Sequence, residues 1–469
     1  MLNSKIFLKI KFYLKYVKFK SFDTTTFEGR SNERYRKIVL SAISSAIARA
    51  VNIIFVLISV PLTNSYLGDE RYGLWLTMSS IIGIIGIADL GIGFGLVNGI
   101  SEAYGNDDVK LAQSYISNAF FTLFIFSGIL ILLFVFVNPL INWSIVFNIS
   151  TSLALIEVET SVALFFILCL LGIPINLIHR IQMGLQKTYL TNLWLTLGNI
   201  FSIIGVIYCY FYQKGLPILV FVLVGFPLIA SILNIIIFTI FNKKLIPNLK
   251  LLNFKLSKKI IKLGFLFFVL QLVSSIAYQS DSIVVAQILG ADQVPQYAVP
   301  YKLFSLVPMI MNFILLPLWP AYGEAKSRGD HLWVLNTFKK SVRISLIICI
   351  PISFFLFLFG RKIIILWAGE NINPSILLIF LLSIWMLLKT IIGGPISMFF
   401  NGLSIVKFQV ITNSIMAVIN LLLSIYFVHQ IGVSGVILGS IISTILILYI
   451  PSIMYIKPLL LKTSKDICL

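Results

Sequence analysis

The chain has 469 residues, of which 59% are hydrophobic and only 11% charged, and its mean hydropathy is +1.00. A soluble domain is about half apolar and a quarter charged, so these charges cannot make a water-soluble shell, and lipid is the natural solvent. The formal net charge of +19 would suggest nucleic acid in a soluble chain. Here the charges fall between apolar stretches, so they set orientation in a membrane and nucleic acid is not an expected partner.

Residues 1–37 form a basic N-terminal segment. Lys5, Lys9, Lys11, Lys15, Lys18 and Lys20 are interleaved with Ile6, Ile10, Leu14 and Val17. That pattern is not a signal peptide. It fits either an amphipathic helix on an anionic leaflet or a basic tail. Residues 21–35 read as a flexible polar link. Apolar runs long enough to span then fall at 39–64, 73–99, 114–138, 160–181, 191–212, 216–241, 263–289, 297–319, 344–359, 375–400, 408–430 and 433–456. The ninth is the least clear, because Gly360-Arg361-Lys362 interrupts it. The fold expected is all-α and integral to the membrane, with about twelve spans.

Twelve spans place both termini on one side. That side carries 28 of the 36 Lys and Arg residues, and the other side carries four. The positive-inside rule therefore puts both termini in the cytoplasm. No loop is large enough to host an ATPase or a catalytic domain. No GxxxxGK[ST] occurs, and neither the four cysteines nor the three histidines have metal-ligand spacing.

The chain also repeats itself. Leu67-Gly68, Ala103-Tyr104-Gly105, Gly184-Leu185 and Gln213/Gly215 recur as Leu289-Gly290, Ala321-Tyr322-Gly323, Gly402-Leu403 and Gln430/Gly432, at offsets of 217 to 222 residues. Two like-oriented six-helix lobes follow, 38–241 and 263–456, joined by a basic linker at 242–262 and followed by a tail at 457–469. This is the parallel-repeat plan of several secondary transporters.

Charges inside a bilayer are expensive and usually face a cavity or a partner. Arg49 in the first span and Asp89 in the second reach similar depth. Either they pair or they meet substrate. Ser41, Ser45, Arg49, Asn52, Ser59 and Thr63 make one polar face on the first span, and Gln271, Ser274, Tyr278 and Asp281 make one on the seventh. A shared central cavity is the economical reading. Asp281 has Lys302 as a possible partner on the next span. Lys389 in the tenth span is the best single candidate for contact with an anionic group, its alternative being a partner such as Asp281. Four embedded bases against two acids favour anions. The glycine-dense second span, Gly393-Gly394-Pro395, and Pro308, Pro317 and Pro320 mark close packing or kinks.

Leu67-Gly68-Asp69-Glu70-Arg71-Tyr72-Gly73-Leu74-Trp75, the run from Ala88-Asp89-Leu90-Gly91 to Asn98, and Ala103-Tyr104-Gly105 resemble the Wzx-type polysaccharide flippases. These belong to the multidrug/oligosaccharidyl-lipid/polysaccharide exporter superfamily. The likeness runs over about residues 38–456 and extends to Asp281, Leu289-Gly290 and Tyr297. It implies a MATE-like fold and no enzymatic activity. The implied role is export of undecaprenyl-diphosphate-linked O-antigen or capsule repeat units across the bacterial cytoplasmic (inner) membrane by alternating access. It also implies no cofactor, coupling to protons or sodium, and a polysaccharide polymerase and chain-length regulator as partners beside membrane lipid. On this reading Arg49, Lys389 and Lys302 contact the substrate, Asp89 and Asp281 balance charge or couple the ion, and Asn52, Ser45, Gln271 and Tyr278 line the cavity. The rivals are a multidrug exporter, whose embedded charges should be acidic, a lipid II flippase, which carries two further helices, and a membrane polymerase or glycosyltransferase. The only nearby acidic pair in an outer region, Glu157 and Glu159, reads better as helix-entry charge.

Overall fold

The computed structural model describes residues 21–85, 89–147, 149–290, 293–370 and 372–465. All regular structure in them is helical. The first helix, α1, runs Phe27–Leu67. The second apolar segment is broken into α2 (Asp69–Ile85) and α3 (Ile92–Gly105). Ten further helices follow: α4 Val109–Leu140, α5 Ser152–Gly184, α6 Thr188–Phe211, α7 Leu216–Phe241, α8 Phe254–Leu289, α9 Val294–Ser327, α10 His331–Trp367, α11 Ile376–Gly402, α12 Val406–Ile431 and α13 Ser434–Pro458. Among the described residues, eleven of these are long and apolar enough to cross a membrane, all but α2 and α3. The protein is thus a multi-pass membrane protein. Its outer faces carry bare apolar side chains such as Phe136 and Phe241, as lipid contact requires.

Local chemistry explains the boundaries. Thr26 caps α1 by accepting from the Gly29 amide at 3.0 Å. The link expected over 21–35 is therefore helical from Phe27. Its turns are held by a bidentate Arg36–Glu33 pair at 2.6 and 2.8 Å. Gly68 and Gly290, the two copies of the Leu-Gly repeat, have φ of 77° and 102° and stand directly after the helices that end at Leu67 and Leu289. The repeat marks the same helix stop twice. Helix α10 is continuous through Gly360-Arg361-Lys362, where the sequence suggested a break. A Cβ on Gly360 would lie 3.3 Å from the Phe304 ring, so this glycine serves packing. The predicted Pro breaks divide α9 into Val294–Phe304, Leu306–Leu315 and Leu318–Ser327.

The chain forms two compact units, residues 1–265 and 266–469. Among the described residues of the first unit are two apolar cores. Leu74 and Met78 of α2 join Val158, Phe165 and Val206 in one. Leu96 and Ile100 of α3 join Ile116, Leu123 and Ile173 in the other. Each half of the broken segment thus belongs to a different core. The break itself is made by Leu90 and Gly91, with φ of 49° and 70°, and by the Gly91 amide donating to Asp89 Oδ1 at 2.9 Å. The linker after α7 is tied to α4: Gln113 and Ser114 donate to the Ile246 and Leu251 carbonyls at 2.8 and 3.0 Å.

The second unit is organised around aromatic contacts, with Tyr322 edge-on to Trp333 and Phe399. Close approach of α12 and α13 also shapes it. A Cβ on Gly435 or Gly439 would fall 2.3 Å from the Phe427 carbonyl carbon or 2.7 Å from the Ser424 nitrogen. This Gly-x-x-x-Gly pair lets two backbones touch.

Glu70, just before the second apolar segment, steadies the entry to α5. Its carboxylate accepts from the Thr151 hydroxyl and from the Ser150 and Thr151 amides at 2.6 and 3.0 Å. The Thr151 hydroxyl first, then the Ser150 amide, hold its pKa down to about 2. A depressed carboxyl stabilises above its ordinary pKa and loses that contribution as pH falls towards 2. Glu70→Gln is expected to speed hydrogen exchange at the Ser150 and Thr151 amides at neutral pH. Compared at equal pH, the difference from the parent should shrink on acidification. An equal difference at every pH would contradict this.

Candidate functional site

The second unit holds a partly open cavity of about 220 Å³ with a mixed polar and apolar lining. Its walls come from α8, α9, α11, α12 and α13. Lys389 lines it together with Asn312, Asn401, Gln409, Asn413 and Ser452. Helix α11 leaves α-geometry over Lys389–Gly393, where it forms a wide π-turn. Such turns recur at functional positions. This one lies where Gly393-Gly394-Pro395 predicted a distortion. A Cβ on Gly393 would sit 2.8 Å from the Tyr449 hydroxyl, so the glycine admits that phenol to the cavity wall. Gln409 Nε2 donates to Asn401 Oδ1 at 2.8 Å and Asn413 Nδ2 to the Gln409 carbonyl at 2.7 Å. The Ser452 hydroxyl is buried and makes no hydrogen bond among the described residues.

Asp281 is buried at 2% exposure in the same unit. Its Oδ2 accepts from the Tyr297 hydroxyl at 3.1 Å, and the Ser440 hydroxyl lies 3.3 Å away. Ser440 also lies 3.0 Å from Asn420 Oδ1. Asp281 Oδ1 is buried and has no hydrogen-bond partner among the described residues. Asp281 lies within electrostatic reach of Lys389. The possible Asp281–Lys302 pair is not formed among the described residues. Lys302 is exposed near the end of a helical piece, while Asp281 Oδ2 is engaged by Tyr297 of α9 and Ser440 of α13.

In the first unit Arg49 is exposed on α1 and makes no ion pair with Asp89 among the described residues. The cation facing Asp89 is Arg180, whose guanidinium also lies 4.0 Å from the centroid of the Phe94 ring. A Cβ on Gly93 would come within 2.6 Å of Asp89 Oδ2 and 2.9 Å of Arg180 Cγ. The equal-depth argument for Arg49 assumed one continuous second helix, and the turn at Leu90 and Gly91 interrupts it. The glycine spacing around Gly93 was the signal in the sequence for this close approach.

Ser45 and Asn52 face α6. Asn192 Nδ2 lies 2.8 Å from the Ser44 and Ser45 hydroxyls, and Asn199 Nδ2 lies 3.4 Å from Asn52 Oδ1. This polar face of α1 therefore serves helix association. Gln271 is half-buried, and the cavity wall takes its neighbours Leu270 and Ser274 instead. The side chain of Tyr278 lies outside the described residues. Glu157 accepts from the Leu216 amide at 3.0 Å and from Arg71 at 3.5 Å, which is a structural role and consistent with helix-entry charge. Tyr297, Asn420 and Ser440 were not anticipated as partners of Asp281. They belong to three different helices, and no local pattern links them.

The family described as "Polysaccharide biosynthesis protein" matches residues 38–326. A "Putative O-antigen transporter" of Salmonella typhimurium is 25% identical over 395 residues, covering 82% of this chain and 89% of the relative. A "Putative O-antigen export protein" of Yersinia pseudotuberculosis is 28% identical over 363 residues, 75% and 80% of the two chains. Among solved structures, a MATE protein in its bent conformation superposes with a TM-score of 0.77 at 16% identity, over 93% of this chain and 97% of that one. An outward-facing multidrug resistance MATE family transporter of the MOP superfamily gives 0.75 at 16%, over 91% and 96%. These structures establish a MATE-like fold.

Proposed function

Because the chain belongs to the polysaccharide biosynthesis protein family, we propose that this membrane transporter exports lipid-linked oligosaccharide, the undecaprenyl-diphosphate-linked repeat unit of an O-antigen or capsule, across the bacterial cytoplasmic membrane by alternating access. The transport role follows the relatives named O-antigen transporter and O-antigen export protein. The observation that carries the substrate reading is Lys389 lining a partly open cavity beside the amide and hydroxyl side chains of Asn312, Asn401, Gln409, Asn413 and Ser452. A phosphate needs a cation and charge-assisted hydrogen bonds. A sugar needs amides and hydroxyls, and a polyprenyl tail needs only the lipid already bathing the outer faces. Lys389 is assigned to the diphosphate–sugar head, with Arg49 and Lys302 as further cations. Asp281, or Asp89, is assigned to charge balance or to coupling with a proton or sodium gradient. A cationic drug would meet the wrong charge at Lys389, so the multidrug reading ranks lower.

The test is complementation of a bacterial strain lacking its own flippase, scored for surface polysaccharide. Restored polysaccharide supports the reading. No restoration, with the protein present in the membrane at parental level and the substrate accumulating inside, would overturn it.

A further inference from the structure

A second cavity, of about 660 Å³, lies wholly in the first unit where the ends of α3, α4 and α7 and the α5–α6 connection converge. Its floor is apolar: Ala103, Val109, Ala112, Leu185, Ile240 and Phe241. Its polar wall carries Lys187, Lys243 and Lys244 beside Asp107 and Asp108. Tyr104 lines the same wall, and its hydroxyl accepts from the buried Lys37 ammonium at 3.0 Å. Lys37 is also an electrostatic neighbour of Lys187. Burial, and then Lys37, hold the Lys187 pKa below the ordinary lysine range. A buried cation, Lys37, thus lies within electrostatic reach of half-buried Lys187. Asp108 also caps α4, accepting from the Leu111 amide at 2.9 Å, and three lysines against two aspartates leave the wall net basic.

We propose that this cavity binds the headgroup of an anionic phospholipid, with the upper part of an acyl chain on the apolar floor. Three features favour that occupant. The floor is made from ends of helices that cross the bilayer, so the cavity opens at the level of the headgroups. The basic wall offers charge complementarity, worth most close to an anionic membrane surface. Phe241 is 81% exposed beside the lysines, as suits an aromatic group at a membrane interface. The chain's own basic N-terminal segment has the same sign of charge and is disfavoured. The positive-inside distribution places this end of the unit against the inner leaflet. The inference stands apart from the transport reading, because it is tested by lipid binding alone.

The experiment uses the full-length protein in nanodiscs of phosphatidylcholine doped with equal amounts of phosphatidylglycerol and phosphatidylethanolamine, with retained lipid counted by native mass spectrometry. Phosphatidylglycerol should be retained in preference to phosphatidylcholine and phosphatidylethanolamine, and millimolar inorganic phosphate should not displace it. Replacing Lys187, Lys243 and Lys244 together with Ala should weaken retention by on the order of tenfold or more. The triple Arg variant should keep it. If the triple Ala variant does not fold, Lys187→Ala alone should still lower retention severalfold. Equal retention of all three lipids, displacement by free phosphate, or undiminished retention in the Ala variants would overturn the proposal.

Discussion

Lys389→Met is expected to cut surface-polysaccharide export by roughly 10- to 100-fold, the equivalent of one lost charge-assisted hydrogen bond of about 1.5–3 kcal/mol. Methionine approximates the length of the lysine stem and keeps the cavity filled, so lost space does not explain the loss. Lys389→Arg retains the cation and should retain a substantial part of export. The comparison must be made at equal amounts of membrane protein. Removing the ammonium leaves Asp281 with one fewer compensating charge, and an uncompensated buried carboxylate destabilises. Parental export by the Met variant would remove Lys389 from the substrate path.

The second large effect is on folding. Gly435→Val is expected to destabilise the protein by at least the upper end of the roughly 1–3 kcal/mol that over-packing costs. The reason is geometric. The new Cβ would lie 2.3–2.4 Å from Phe427 and Val428 backbone atoms, and a helix backbone cannot yield as a flexible side chain does. Gly439 faces the backbone of α12 in the same way. The check is thermal stability of purified protein in detergent. A melting temperature within one degree of the parent would mean that α12 and α13 do not approach as described. Because Ser440 sits between these helices and touches Asp281, a milder Gly439→Ala variant should also alter whatever Asp281 does.

Much of the fold is readable in the sequence because membrane spans are written in composition. Apolar runs near the bilayer thickness and lysine-rich loops needed no tertiary information, and the Leu-Gly repeats correspond to real helix stops with positive φ. What could not be read depended on three-dimensional register. The second segment was counted as one helix because its hydropathy is continuous. The break lies in the backbone of Leu90 and Gly91 and in an Asp89 side chain that bonds the Gly91 amide. The neighbour that Asp89 has is Arg180, from a helix the sequence pattern did not link to it. Conversely, Gly360-Arg361-Lys362 looked like a break and is not one, since the glycine packs on Phe304 and Arg361 Nε donates to Asn373 Oδ1 at 2.8 Å.

The candidate site divides in the same way. Lys389 could be singled out from sequence, because a lysine in the middle of an apolar run is conspicuous at any register. Its surroundings could not, because Asn312, Asn401, Gln409 and Asn413 come from α9, α11 and α12, and only packing brings them to one wall. The polar stripe of α1 was conspicuous for another reason. Ser45 and Asn52 answer Asn192 and Asn199 of α6, so polar periodicity there recorded helix pairing. The Gly435-x-x-x-Gly439 motif was present in the sequence, and its meaning emerged only with the backbone it touches.

The central claim is that this chain carries a diphosphate-linked saccharide across a bilayer. The most direct test is reconstitution of the purified protein into liposomes that hold a polyprenyl-diphosphate-linked oligosaccharide, following the saccharide's accessibility to an external lectin or glycosidase. The account predicts transfer well above that of empty liposomes, with most of the excess lost in Lys389→Met and retained in Lys389→Arg. Transfer no faster than in empty liposomes, with folded protein confirmed and an ion gradient of either proton or sodium applied, would contradict it.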